Sequence, residues 1–398
     1  MTAPERTRVL FITSPRAIGA DTFIHLLLIQ HLSRGRYELH AAAQSESCGD
    51  TEPAQAFAAL RGLPDLALQP THFGPSLSAR SRLGRVQLGL AHAAPVALSL
   101  GRLAHYIRKH RIQVLHATDR PRDAIACAAL AAATGAKAVI HVHVKYGAWM
   151  SRGVKWALGR ADALVGVSRF VADSLVGAGY RAERVHAVLN AIEPSRWDPA
   201  LCPQVGRAAL SVAADAPLII SVARLFHWKG HAELIRAVAL VRRELPAVKL
   251  AIVGADYPEG SDTTRQLEQL AHALGAADNV IFTGHRRDVA ALLAASDVFA
   301  LPSFEEPFGL AYAEAMAMQR PVVGLTNGGT PEVVDHGLNG LLSAPGDIAA
   351  FAGHLLTLLR DPAQRARFGA HGRQQVMARF TPARMASDFD ALYARLLA

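Results

Sequence analysis

The feature that most constrains the fold is an alternation along the chain: a short β-branched or apolar run, a turn, then a longer Ala- and Leu-rich run. RVLFIT (8–13), YELHAAA (37–43), QVLHAT (113–118), AVIHVHV (138–144), ALVGVS (163–168) and VHAVLN (185–190) read as strands. Helices over 21–33, 122–134 and 169–178 fit between them. A second set opens at PLIISVA (217–223). Its further strands are 249–254, 279–284, 297–302 and 321–325, and its helices 231–244, 263–275, 288–296 and 310–318. Such alternation is the pattern of βαβ units, whose strands pair in parallel. The expected class is α/β, with two doubly wound domains. Ile192–Val205 holds three prolines and little periodicity, and reads as an interdomain linker. The expected domains are 1–195 and 196–382.

Hydrophobic residues make up 51% of the 398 residues and charged residues 19%. That fills two cores and is too apolar for an intrinsically disordered chain. Cys48, Cys127 and Cys202 are too scattered for a disulfide scaffold or a cysteine zinc site, and fit a reducing compartment. The opening MTAPERTRVLFITSPR has only a short apolar run, so no secretory signal is read. The longest uncharged run, 16 residues between Arg85 and Arg102, is interrupted by Pro95. A membrane-spanning helix takes about 20 apolar residues, and none is expected. The location read from these features is cytoplasmic.

Charge is uneven. Residues 1–197 carry a net +11 and residues 198–398 a net −2. The first half is expected to meet something acidic: nucleic acid, an anionic membrane or a phosphorylated substrate. A merely basic, Arg- and Ala-rich composition is the plain alternative. No zinc-finger spacing or aromatic-rich RNA-binding strand is present, so nucleic acid is not expected as a partner.

In open parallel sheets, ligands bind beyond the carboxyl ends of strands, so the residues just after strands carry the chemistry. Arg224 follows strand 217–223, and Lys229 stands just before a helix start. Two cations beside free helix amides suit a diphosphate. The segment PSFEEPFGLAYAEAMAMQRPVVG (302–324) follows strand 297–302. It places Glu306 in a loop, Gly309 where backbone approaches a ligand, a helix start near Leu310, and Glu314 one turn in. The two carboxylates can accept hydrogen bonds from sugar and ribose hydroxyls. Gly328-Gly329 leads to Thr330 as expected N-cap, with Pro331 at the first helical position. Thr283-Gly284-His285-Arg286 lies at the same sheet edge and could frame a base. His141 and His143 alternate on a strand and share a face. No third ligand joins them for zinc, and His141 reads as a satisfied core or cleft histidine. Asp388-Phe389-Asp390 imitates a carboxylate metal motif but reads as a solvated helix face.

In order and spacing, SVARLFHWKGH (221–231), IVGADYPEG (252–260), VIFTGHR (280–286), LPSFEEPFGLAYAEAMAMQRPVV (301–323) and NGGTPEVVDHGLNGLL (327–342) resemble the donor domain of family 4 retaining glycosyltransferases. ITSPRAIGADTFIHLLLIQHL (12–32), VIHVHV (139–144), ALVGVSRFVADSL (163–175) and VHAVLNAIEPSRW (185–197) extend the resemblance to the first half. It implies the GT-B fold, two Rossmann-like domains facing across a cleft, with a last helix near 383–398 returning to the first domain. The implied activity is metal-independent, retaining transfer of a hexose-type sugar from a UDP- or GDP-linked donor to an acceptor hydroxyl. Arg224 and Lys229 would hold the diphosphate, Glu306 the donor sugar and Glu314 the ribose. The amides of Phe308, Gly309 and Leu310 would face sugar and phosphates. Gly19 matches the phosphate-approaching glycine of the first domain, and His143 the active-site histidine. The catalytic set is thus His143, Arg224, Lys229 and Glu306, and donor contacts add Gly19, His285, Phe308, Gly309, Leu310 and Glu314. No cofactor or metal is implied. The alternatives are another nucleotide-sugar enzyme of this fold, such as an epimerase, or an inactive nucleotide-sugar-binding module. The sequence departs from the family at Ile18 before Gly19, Ala191 after Asn190, Asp256 after Ala255, and Gln319 after EAMAM.

The acceptor is a glycan, a lipid-linked molecule or a small molecule. Arg80, Arg82, Arg85, Arg102, Arg108, Lys109 and Arg111 flank an apolar stretch containing Leu88, Leu90, Val96, Leu98 and Leu100. Such a stretch can lie on an anionic membrane, as a peripheral contact on its inner face. A soluble helix pair with a basic outer face is the alternative. On the membrane reading, vesicle co-sedimentation shows binding that requires anionic lipid, weakens with salt and falls when Arg102, Arg108 and Lys109 become Gln. Failure to bind anionic vesicles at low salt removes that reading.

Overall fold

The computed structural model describes residues 6–45, 54–75, 82–257 and 260–398; Cys48 and Arg80 lie outside them. The chain divides into two compact units, Met1–Leu189 with Pro382–Ala398, and Asn190–Thr381.

In the first unit the strands are β1 (Thr7–Thr13), β2 (Tyr37–Gln44), β3 (Leu66–Thr71), β4 (Val114–Thr118), β5 (Lys137–Val142), β6 (Ala163–Gly166) and β7 (Val185–Ala187). They form one parallel sheet in the order β3-β2-β1-β4-β5-β6-β7. Val9, Leu10, Phe11 and Ile12 are all fully buried. A parallel sheet is covered on both faces, so its central strands are continuous apolar runs. β3 escapes a sequence reading because Pro70 interrupts it; a proline costs little there because β3 is an edge strand.

The second unit holds β8 (Leu218–Val222), β9 (Lys249–Val253), β10 (Val280–Phe282), β11 (Val298–Ala300), β12 (Val322–Leu325) and β13 (Gly340–Ser343). These are parallel in the order β10-β9-β8-β11-β12-β13. Both sheets reverse their order beside the first strand of the unit, between β1 and β4 and between β8 and β11. That is the doubly wound, Rossmann-like topology, and the reversal is where such sheets bind ligands.

Four expectations are corrected. Ile192–Val205 is not an extended linker. Ile192 and Trp197 are buried, and Pro203 opens a helix, Pro203–Ala209. Gly206 lets that helix meet the helix Val289–Ala295: a Cβ there would lie 2.2 Å from the Ala291 carbonyl oxygen. The basic stretch is one helix, Arg82–Lys109, with Pro95 inside it, rather than a pair. Arg102, Arg108 and Lys109 are exposed on it, as is Leu98. Thr330 is not an N-cap but the first residue of a single turn, Thr330–Val333, whose cap is Gly329. Asp388 and Asp390 are not simply solvated. In the last helix, Pro382–Leu397, Asp390 accepts hydrogen bonds from Arg36 and Tyr37, and Asp388 accepts one from Arg384. Tyr393, fully buried, shares a 2.5 Å hydrogen bond with His116 Nδ1. The last helix is thereby fastened to the first unit's sheet.

Gln319 has a physical consequence. It follows the helix Leu310–Ala317 with φ 57°, in the left-handed region. The Arg320 amide donates to the Ala315 carbonyl at 2.9 Å, the six-to-one bond of a helix stop that favours glycine. A non-glycine residue there costs about 1–2 kcal/mol, and glycine returns part of that in chain entropy. Gln319→Gly is therefore expected to stabilise the chain by roughly 0.5–1 kcal/mol, read as a higher urea midpoint; a lower midpoint contradicts this account.

Candidate functional site

The loops after β8 and β11 meet at the reversal of the second sheet. Gly230, with φ 75°, is the hinge: a Cβ there would lie 1.9 Å from the Pro302 carbonyl oxygen. The Phe304 amide donates to the Trp228 carbonyl at 2.7 Å. Across this seam Lys229 Nζ reaches Glu306 Oε2 at 2.6 Å, with the two side chains only 13% and 9% exposed. Lys229 also lies over the Trp228 ring, 4.4 Å from its centroid.

Glu306 is held from behind. Its carbonyl accepts the Gly329 amide at 2.7 Å. A Cβ on Gly328 would stand 2.6 Å from the Glu306 amide nitrogen, and one on Gly329 2.5 Å from the Pro307 carbonyl oxygen. The paired glycines therefore serve close backbone packing against the Glu306 loop. Gly309 caps the helix Leu310–Ala317 with φ 100°, leaving the first amides of that helix without partners of its own. The Phe308 side chain is buried and meets Phe380 edge to face at 5.5 Å. Only its backbone is available to a ligand.

Arg224 is exposed, and its guanidinium lies over the Tyr257 ring at 4.1 Å. Glu314 is partly buried, and its carboxylate has no hydrogen-bond donor among the described residues. Burial pushes its carboxyl up to about 7, with Arg196 acting in the opposite direction. His285 is exposed beyond the edge strand β10. The structure thus brings Arg224, Lys229, Glu306, Gly309, Leu310 and Glu314 onto loops and helix starts at one sheet end. Trp228, Tyr257 and Arg196 are additions. Their signal was adjacency to expected cations for Trp228, and none for the other two.

Gly19 and His143 belong to the first unit. Gly19 caps the helix Ala20–His31 after β1, and a Cβ there would lie 2.8 Å from the Asp21 carboxylate and 3.0 Å from Arg120. Asp21 pairs with Arg120 across the reversal of this sheet. Burial opposes ionisation of Asp21, but the Arg120 guanidinium outweighs it and holds the carboxyl at about 2. His143 follows β5, and its amide donates to Asp119 at 3.3 Å. Burial lowers His143 to about 4 and raises Asp119 to about 7.

His141 is not satisfied, and the pair does have a third partner. Neither ring nitrogen of His141 has a hydrogen bond. Ligand atoms of His25, His141 and His143 lie within 4.8 Å of one another.

Residues 206–375 match the family model described as glycosyl transferases group 1, and residues 26–196 match that of glycosyltransferase family 4. Among curated relatives, a D-inositol 3-phosphate glycosyltransferase of Xylanimonas cellulosilytica is 35% identical over 230 residues, 56% of this chain and 54% of that one. An N-acetyl-alpha-D-glucosaminyl L-malate synthase of Bacillus anthracis is 33% identical over 182 residues, 46% of each chain. The chain thus spans about half the length of the curated relatives it matches. Among solved structures, Anabaena HepE in complex with UDP aligns with a TM-score of 0.79 at 22% identity, covering 98% of this chain and 100% of that one. Two Rossmann-like units with these matches define a GT-B protein. The chain belongs to the family 4, group 1 glycosyltransferases.

Glu314 yields a prediction about stability. A carboxyl raised from 4.5 to about 7 on folding makes the folded chain bind more protons, so its contribution is full below pH 4.5 and is lost as pH rises through 7. Glu314→Gln removes that loss. Its unfolding free energy in urea should exceed the parent's at pH 8 by on the order of 1–3 kcal/mol, and the gap should close as pH falls towards 4.5. A variant less stable than the parent at pH 8 contradicts the buried, unpaired placement.

Proposed function

We propose that this protein transfers a hexose-type sugar from a UDP- or GDP-linked donor to an acceptor hydroxyl, with retention of anomeric configuration and without a metal at the diphosphate. The observation that carries this is the Lys229–Glu306 pair beside the amides that open the helix Leu310–Ala317. A diphosphate competes with Glu306 for Lys229. On binding it draws the ammonium to itself and frees the carboxylate for a sugar hydroxyl. Arg224 is exposed to bind the same diphosphate. Glu314 accepts from the ribose hydroxyls, and the solved complexes of HepE with UDP and with UDP-glucose support a donor of this kind.

Breaking the sugar–phosphate bond leaves negative charge on the terminal phosphate. Lys229, Arg224 and the helix amides are donors available to that charge, which lowers the barrier without a metal ion. The acceptor oxygen attacks the anomeric carbon from the face the phosphate leaves, and the departing phosphate takes the acceptor proton. The acceptor is a glycan, a lipid-linked molecule or a small molecule, and the membrane is its source if it is lipid-linked.

Native mass spectrometry after incubation with a panel of nucleotide sugars should show one donor bound or hydrolysed. Lys229→Ala should then lose about 2–4 kcal/mol of transition-state stabilisation while keeping its circular dichroism; activity within a few-fold of the parent removes the diphosphate assignment. Turnover should survive EDTA, and full loss rescued by magnesium or manganese contradicts the metal-free leaving group.

A further inference from the structure

Four histidines meet inside the first unit. His25 comes from the helix Ala20–His31, His116 from β4, and His141 and His143 from β5 and the residue beyond it. The His141 and His143 ring centroids are 4.4 Å apart, those of His25 and His116 4.7 Å, and those of His25 and His141 5.7 Å. His25 is 1% exposed, and His116 and His141 are fully buried. His116 is engaged through Nδ1 with Tyr393. Both ring nitrogens of His25, both of His141 and Nε2 of His143 are buried without a hydrogen-bond partner.

That concentration demands a ligand. Each buried polar atom left unpaired costs about 1–3 kcal/mol, and folded proteins leave few of them. Here five such atoms lie on three neighbouring rings. Phe11 stacks on His116 at 5.0 Å and Phe389 lies 5.1 Å from His141. Apolar rings therefore border the cluster on its His116 and His141 side, while Asp21 and Arg120 act on it from the His143 side.

We propose that His25, His141 and His143 form a three-imidazole site for a zinc-class divalent cation. A neutral imidazole nitrogen is a borderline-soft ligand that suits zinc, cobalt and nickel rather than magnesium or calcium. Around tetrahedral zinc with Zn–N of about 2.0–2.1 Å, ligand nitrogens lie about 3.3 Å apart. The present spread of up to 4.8 Å closes by turning imidazoles about their side-chain torsions. Three protein ligands leave the fourth position open. His143 is the least buried of the three, so the open position faces its side. The site lies wholly in the first unit and rests on this geometry, not on the donor chemistry.

The test uses the full chain, stripped with chelator, dialysed against zinc and analysed for bound metal. Cobalt serves as a second probe, because tetrahedral coordination gives it an intense visible spectrum. The parent should retain one equivalent more zinc than His25→Leu and show the tetrahedral cobalt spectrum, which that variant lacks. His25→Leu exchanges an unpaired buried ring for an apolar side chain, so it should stay folded by circular dichroism. His143→Gln, at the less buried edge, provides a second variant with the same expected loss. Lys229→Ala should retain the metal, which separates this result from any failure of the donor reading. Equal zinc content in the parent and both histidine variants, or no tetrahedral cobalt signal in the parent, overturns the proposal.

Discussion

The Lys229–Glu306 pair, 2.6 Å apart and nearly closed off from solvent, is the interaction on which the rest of the second unit turns. Ions so placed lose much of their hydration, and their attraction only partly offsets that loss. The pair is weak as a source of stability and therefore suited to exchange partners. What makes it available is rigid backbone. Gly230 against Pro302, Phe304 on Trp228, and Gly328-Gly329 against residues 305–307 hold three loops at the sheet reversal. A side chain on any of those glycines would force the loops apart and separate the two charges. The burial that lifts Glu314 to about 7 shows the same trade: a carboxylate kept short of partners costs stability and keeps its acceptors open.

The first unit repeats the device with different contents. Its reversal also carries an ion pair, Asp21 with Arg120, braced by Gly19. Asp123, pushed up to about 6 by burial, accepts the Ser14 amide and the Thr118 hydroxyl. Behind that polar edge four imidazoles, of His25, His116, His141 and His143, stand within a mostly apolar interior. The last helix closes it through Tyr393 and Phe389, so the chain's final segment belongs to the packing of its first sheet.

Much of this was legible in the sequence because it is local. β1, β8 and β9 are mostly apolar runs, and the loops after β8 and β11 carry charged residues and glycines at helix starts. β3 was hidden by Pro70. Pro194, Pro199 and Pro203 made a packed segment look like a linker, because proline opens a helix as readily as it ends one. Lys229 and Glu306 could each be named, but their ion pair could not, since 77 residues separate them. His25 was invisible as a partner of His141 and His143 for the same reason. It lies among apolar helix residues, and only the sheet brings it to β5. The ties of Asp390 to Arg36 and Tyr37 span more than 350 residues and leave no pattern along the chain.

The central claim is that Lys229 leaves Glu306 for the terminal phosphate of a nucleoside diphosphate. Calorimetric titration with the mono- and diphosphate of whichever nucleoside binds isolates that contact. In the parent the second phosphate should tighten binding about tenfold or more, which is about 1.4 kcal/mol. In Lys229→Ala that increment should shrink to what Arg224 and the helix amides supply, while the monophosphate binds as before. An undiminished increment in the variant would show that the second phosphate is held elsewhere, and would contradict the account.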